Sequence, residues 1–185
     1  MTQRICPECD GDMHMRRADA IYCSTRCRVA AHRRPSVPVE LARRPRWVRR
    51  NHAKLPMMVN ARVASVSDPS TWASYAAVKR SEVGAGLGFV LNGDGIGCID
   101  LDSCVSGGVI AGWAQEILDA NPGTFTELSP SGTGLHIWGL LDSAPGRRVR
   151  DGRNIEVYSQ GRYIALGTQL PGSPLRLEPL ILPSL

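Results

Sequence analysis

The sequence predicts an α+β fold preceded by a small cysteine-rich module. Three observations carry that reading. Paired cysteines and arginines crowd the first 34 residues, a proline-rich stretch follows, and from Trp47 onward strand-type and helix-type patterns alternate without settling into a regular repeat.

Cys6-x2-Cys9 and Cys23-x3-Cys27 are separated by 13 residues, a spacing at which two cysteine knuckles can meet as four thiolates around a tetrahedral Zn2+. About 30 residues bury too little apolar surface to fold unaided, so metal binding would supply much of the folding free energy. Two disulfides are the competing reading, which a cytosolic chain disfavours. His14 or His32 could replace a thiolate, at the expense of the paired spacing. The second knuckle opens a basic helix running to Arg34.

Residues 35–46 carry three prolines and little periodicity and read as a semi-extended linker. The chain thus divides into a module over 1–34, a linker over 35–46 and a domain over 47–185. Asp68-Pro69-Ser70-Thr71-Trp72 opens a helix, with Asp68 as cap, Pro69 in the first turn, and Trp72, Tyr75, Ala76 and Lys79 at helical spacing. Leu87–Leu91 and Gly97–Leu101 flank Asn92-Gly93-Asp94-Gly95, which reads as a β-hairpin turn. Val109–Ala120 is a second helix. Strands are expected near Phe125–Leu128, Leu135–Gly139, Asn154–Tyr158 and Tyr163–Leu166.

Of 185 residues, 43% are hydrophobic and 21% charged, as in a globular protein. The start shows no apolar signal segment, and no apolar run approaches the ~18 residues of a membrane span. A cytoplasmic protein with no membrane partner is expected. Charge is uneven: residues 1–50 hold 12 Arg against 5 Asp or Glu, while the remainder holds 10 Lys or Arg against 12 Asp or Glu. A basic arm on a near-neutral body suits a polyanion partner, although a solvated Arg-rich face has the same composition.

The chemistry centres on Gly95-Ile96-Gly97-Cys98-Ile99-Asp100-Leu101-Asp102. Strand alternation sends Ile99 and Leu101 into a core, and Asp100 and Asp102 to the other face. Two like charges side by side need a cation, and carboxylates suit Mg2+ or Mn2+ shared with substrate phosphates. Alone, Asp-x-Asp is weak; it occurs in glycosyltransferases and as ordinary surface acid. Ser129-Pro130-Ser131-Gly132-Thr133-Gly134-Leu135-His136 adds a loop able to nest an anion, with His136 facing away from Leu135 and Ile137. In Asn154-Ile155-Glu156-Val157-Tyr158, alternation sends Glu156 to the polar face as a third carboxylate, and Arg162 follows as a cation for phosphate charge. Cys98 and Cys104 read as buried free thiols.

These motifs, in this order, resemble the archaeo-eukaryotic primase superfamily, whose Asp-x-Asp is matched by Asp100 and Asp102, small-x-His by Gly134-Leu135-His136, and hydrophobic-acid by Ile155-Glu156. Lys54-Leu55-Pro56, Asp68–Trp72, Gly88-Phe89-Val90-Leu91 and Gly161-Arg162-Tyr163 also look like phage and plasmid primase-polymerases, so the similarity runs from about Trp47 to Gly167. The resemblance implies a mixed-sheet, RRM-like core with flanking helices. It implies template-directed synthesis from NTPs or dNTPs on single-stranded DNA, in the host cytoplasm if phage-encoded. Asp100, Asp102 and Glu156 would be the catalytic metal ligands, and His136 would contact the triphosphate. Ser131, Arg162 and Lys54 would be further nucleotide-binding residues. No Walker A pattern is present, so unwinding would need a separate helicase. A non-catalytic zinc-containing DNA-binding protein with a degenerate core is the alternative.

Overall fold

The computed structural model describes residues 4–7, 9, 11–33 and 36–183. They form two compact units, Met1–Ser36 and Val37–Leu185.

In the first unit Cys6 N–H donates to Gly11 O and Met13 N–H to Arg4 O, both at 2.9 Å. Helix α1 (Thr25–Arg33) carries Cys27, with Cys23 just ahead of it, and the Ser24 hydroxyl accepts from the Cys27 N–H at 3.1 Å. The core is Cys6, Met13 and Cys27 with Ala20, Tyr22 and Cys23 packed against them.

The second unit begins with α2 (Val39–Ala42), β1 (Trp47–Arg50) and β2 (Pro56–Met57). A 3-10 turn over Pro69–Thr71 and α3 (Tyr75–Arg80) lead to β3 (Gly86–Asn92) and β4 (Ile96–Leu101). A small hairpin of β5 (Val105–Ser106) and β6 (Val109–Ile110) precedes α4 (Gly112–Ala120), then β7 (Thr126–Leu128) and β8 (Leu135–Leu140). The chain closes with β9 (Arg147–Arg150), β10 (Asn154–Tyr158), β11 (Gln160–Ala165) and β12 (Thr168–Gln169). The result is α+β, mostly sheet with few helices.

One sheet has the order β11-β3-β1-β2 and the other β12-β7-β8-β4-β10-β9. The sheets are stacked. Trp47, Phe89, Leu91 and Ile164 from the first meet Ile96, Cys98, Trp138 and Tyr158 from the second in one cluster, with Trp47 and Phe89 ring centroids 5.0 Å apart. The far face of the six-stranded sheet, including Ile99, Leu101, Leu135, Ile137 and Ile155, buries against Ala114 and Ile117 of α4.

Five expectations need correction. Among the described residues the named strands pair antiparallel, and the parallel pairing is confined to an isolated bridge from Leu140 to Pro179, so the sheets are antiparallel rather than mixed. Residues 37–46 are not part of an extended linker: Val37 and Leu41 are buried in the inter-sheet core, and Trp47 Nε1 donates to Leu41 O at 3.0 Å. The proline count concealed two apolar anchors. The Asp68 cap serves only the 3-10 turn, and α3 starts later on its own Ser74 cap, whose hydroxyl accepts from Ala77 N–H. Val109 and Ile110 likewise pair as a strand, so α4 starts at Gly112.

The fifth correction concerns the connection that leads into β4. Asn92-Gly93-Asp94-Gly95 is not a hairpin turn, because β3 and β4 lie in different sheets. Both strands bury side chains on both faces, which calls for central positions rather than a two-stranded ribbon. Gly93 (φ 85°) and Gly95 (φ 88°) supply the left-handed backbone of this crossover. Buried Arg46 and half-buried Arg44 clamp it through Asp94, each at 2.6 Å.

Candidate active site and metal centre

One row of residues crosses the six-stranded sheet. By register Glu127 opposes His136, His136 opposes Asp100, Asp100 opposes Glu156, and Glu156 opposes Arg148. Pleating puts them on the inter-sheet side, at the margin of the apolar cluster. Gly134 is needed to bring β8 this close to β4: a Cβ there would sit 2.6 Å from Leu101 O.

A cleft of about 410 Å³ opens at the Asp100 and His136 positions of this row, lined by Lys54, Asp100, Asp102, Ser129, His136 and Arg162 with Pro56, Val66, Pro130 and Gly161–Ala165. Asp102 lies just past the end of β4 and is exposed. Asp100 is mostly buried, and its Oδ1 accepts no hydrogen bond; His136 Nε2 stands 3.6 Å away. Burial pushes the Asp100 pKa up; His136 and Arg162 oppose this, while Asp102 and Glu156 add to it. An orphaned buried carboxylate oxygen beside a second carboxylate is a donor set suited to a hard divalent cation.

Glu156 stands apart from the cleft lining. Its carboxylate accepts from Tyr158 OH at 2.7 Å and from Arg150, with Arg162 at 3.4 Å and Arg148 at 3.5 Å. Burial raises its pKa, but these donors outweigh burial and the net shift is downward. Asp100, Asp102 and Glu156 do not gather as a three-ligand cluster among the described residues. Ser131 also lies outside the cleft lining: its hydroxyl bonds Ser129 Oγ at 2.9 Å and Thr133 Oγ1 at 3.0 Å, and Ser129 forms the wall instead.

Glu127 is the residue that sequence reasoning missed. It is 1% exposed, and its Oε1 receives His136 Nδ1 at 2.8 Å and Trp138 Nε1 at 3.1 Å. Burial pulls the His136 pKa down, but Glu127, Asp100 and Asp102 prevail and raise it. The available signal was alternation, since Glu127 and His136 both break apolar strands on the polar side. Glu127→Ala strands two buried donors and is expected to cost about 3–5 kcal/mol in denaturant unfolding. Glu127→Gln keeps an acceptor and should cost clearly less; equal losses would mean that the carboxylate's bonds to His136 and Trp138 contribute nothing.

In the first unit the thiol sulfurs of Cys6, Cys9, Cys23 and Cys27 all lie within 4.8 Å of one another, a group that can hold a metal ion. The Gly11 N–H lowers the Cys9 pKa, yet the thiols of Cys23, Cys27 and Cys6 carry it up to about 12, as expected where four sulfurs converge and require a cation to ionise together. His14 is exposed, and the His32 side chain lies outside the described residues. Cys98 and Cys104 are buried free thiols in the second unit.

No protein-family model matches the chain. It is similar to a protein named DNA primase-polymerase from Nitratiruptor phage NrS-1, with 35% identity over 131 residues, covering 65% of this chain. The chain spans 18% of that relative's length. Among the described residues no helix is long and apolar enough to cross a membrane.

Proposed function

We propose that the chain is a metal-dependent nucleotidyltransferase of the archaeo-eukaryotic primase superfamily, of phage or mobile-element origin, which builds DNA primers or extends them on single-stranded template. The observation that carries this reading is Asp100, Asp102 and His136 lining one cleft walled by Lys54 and Arg162, with Glu156 next to Asp100 in the strand register. The phage relative supports it. So does topology: β4, α4, β7, β8 and β10 follow one another along the chain and lie side by side as β10-β4-β8-β7, the arrangement of an RRM-like sheet. Helix α4 covers one side of that sheet. The domain division in this reading is a metal module ahead of a catalytic unit that begins near Val37 rather than Trp47.

Asp100 and Asp102 would hold Mg2+ or Mn2+, with Glu156 joining them once its arginines turn to phosphate. When bound, the metal supplies Lewis-acid stabilisation of phosphoryl charge and activation of a hydroxyl nucleophile. His136, held through Nδ1 by Glu127, presents Nε2 toward the triphosphate. Lys54 and Arg162 neutralise phosphate charge at the cleft walls, while Ser129 and Ser131 order the loop beneath it. Zinc, held by Cys6, Cys9, Cys23 and Cys27, would fold the first unit, and a separate helicase would open duplex.

Purified protein with single-stranded template, Mg2+ or Mn2+ and labelled nucleotides decides the activity. Product without primer identifies a primase, extension alone a polymerase, and neither overturns the catalytic reading. His136→Ala should raise the nucleotide KM about 10-fold or more, with a smaller fall in kcat, if its partner is the triphosphate. A fall in kcat alone would remove it from that role. The engagement of Glu156 by Arg150, Tyr158, Arg162 and Arg148 favours a second reading, a DNA-binding protein with a closed, inactive core.

A further inference from the structure

Glu156 accounts for only part of the positive charge around it. Arg148, Arg150 and Arg162 converge on this one carboxylate, and of the three only Arg162 also faces Asp100, so Arg148 and Arg150 exceed the negative charge available to them. All three guanidinium side chains stay open to solvent, 60%, 46% and 44% exposed, while the carboxylate is 7% exposed. Arg162 and Arg148 also lie over the Tyr158 ring, 5.0 and 5.9 Å from its centroid, which fixes their direction. Arg162 is in the cleft wall; Arg148 and Arg150 are not. They continue the positive surface outward along β9, the sheet's edge strand. Arg148 sits two strand spacings, about 10 Å, from Asp100, and Arg150 about 7 Å further along β9.

We infer that Arg148 and Arg150 form a track for the phosphate backbone of single-stranded DNA entering the cleft beside Asp100. A compact anion would be satisfied within the cleft by Lys54, His136 and Arg162. A row of exposed cations leading out of it matches an extended polyanion. The competing account of a charged edge strand, protection against edge-to-edge pairing, requires no nucleic acid. The inference rests on the reading of this cleft as a template-directed active site, but its test does not depend on turnover.

The test is the affinity of the full chain for a fluorescein-labelled single-stranded oligonucleotide across a salt series. Each phosphate contact on a single strand contributes about 0.7 to the slope of log K against log salt. Arg148→Gln/Arg150→Gln should therefore flatten the slope by about 1.4. The Lys/Lys variant, which keeps both charges, should restore it. Arg153→Gln is the control for net charge: Arg153 comes from the same segment, but pairs with Asp151 and lines a groove with Trp113 and Glu116 of α4. It should leave the slope unchanged. Should the Gln pair fail to fold, adding Glu156→Gln removes the buried carboxylate that the arginines satisfy, and the flattened slope must persist. No binding by the parent protein, an unchanged slope in the Gln pair, or a fall in Arg153→Gln equal to that of the Gln pair per charge removed overturns the inference. A raised nucleotide KM with an unchanged slope also overturns it, assigning the arginines to the nucleotide. A flattened slope in a protein that incorporates nothing supports the track and defeats the catalytic reading.

Discussion

Asp100→Asn is expected to reduce nucleotide incorporation by about 10²–10³-fold, the scale on which removing one preorganised group that stabilises transition-state charge lowers kcat. The same variant should be more stable than the parent, by about 1 kcal/mol. Both effects follow from the carboxylate's position. Oδ1 is buried without a hydrogen-bond donor, and Asp102 and Glu156 add like charge nearby, with partial relief from His136 and Arg162. The folded-state pKa is therefore above its unfolded value, and the folded protein binds that proton more tightly than the unfolded chain. Stability falls as pH rises through this window, and the penalty is present in full above it. The advantage of Asn should hold at neutral pH and disappear below the ordinary carboxylate range. Denaturant melts at two pH values alongside the incorporation assay check both. A variant that loses stability in step with activity would show that Asp100 is structural, and the metal assignment would fall with it.

Period-two alternation was enough to separate the core from the polar side on the central strands. Ile99 and Leu101 pack toward α4, Leu135 and Ile137 do likewise, and Asp100 and His136 face the other way. What alternation cannot supply is which strands are neighbours. The Asn92–Gly95 segment has the composition of a hairpin turn, yet the two strands it joins have apolar residues on both faces and enter separate sheets. Burial on both sides outweighed the local turn signal. Glu127 escaped notice for a related reason: a single acid in a short strand is ordinary until register places it opposite a histidine. The arginines around Glu156 are also a register effect, with β9 supplying Arg148 opposite the carboxylate and β11 supplying Arg162. A linear reading could put these residue types on a polar face without showing that they neutralise one another. Val37 and Leu41 show the converse error, in which proline content suggested an open linker around two buried side chains.

Cys23→Ser should abolish metal binding, taking metal content from about one ion per chain to near zero. It should leave the first unit unfolded. The apolar core of this unit is Cys6, Met13 and Cys27, with Ala20, Tyr22 and Cys23 partly covering it, so the ligands themselves make up half of that core. So few buried side chains cannot offset the conformational entropy of some 30 ordered residues. Metal ligation is the remaining source, at about 10–16 kcal/mol for a structural zinc in a small peptide. The position of Cys23 makes it the sharper choice of variant. Its sulfur lies 3.5 Å from that of Cys9 and 3.4 Å from that of Cys27, and its N–H reaches Cys6 Sγ at 3.4 Å, so it contacts all three other ligands. Metal analysis together with limited proteolysis reads the result. Cleavage should concentrate within residues 4–33, while the second unit, which has its own inter-sheet core, should melt as before. With thiolates as ligands, protons would compete with the metal, and the parent protein should release it as pH falls, with the same cleavage sites appearing. Metal retained in Cys23→Ser but lost in Cys98→Ser would move the centre into the second unit and remove the physical basis for a folded N-terminal module.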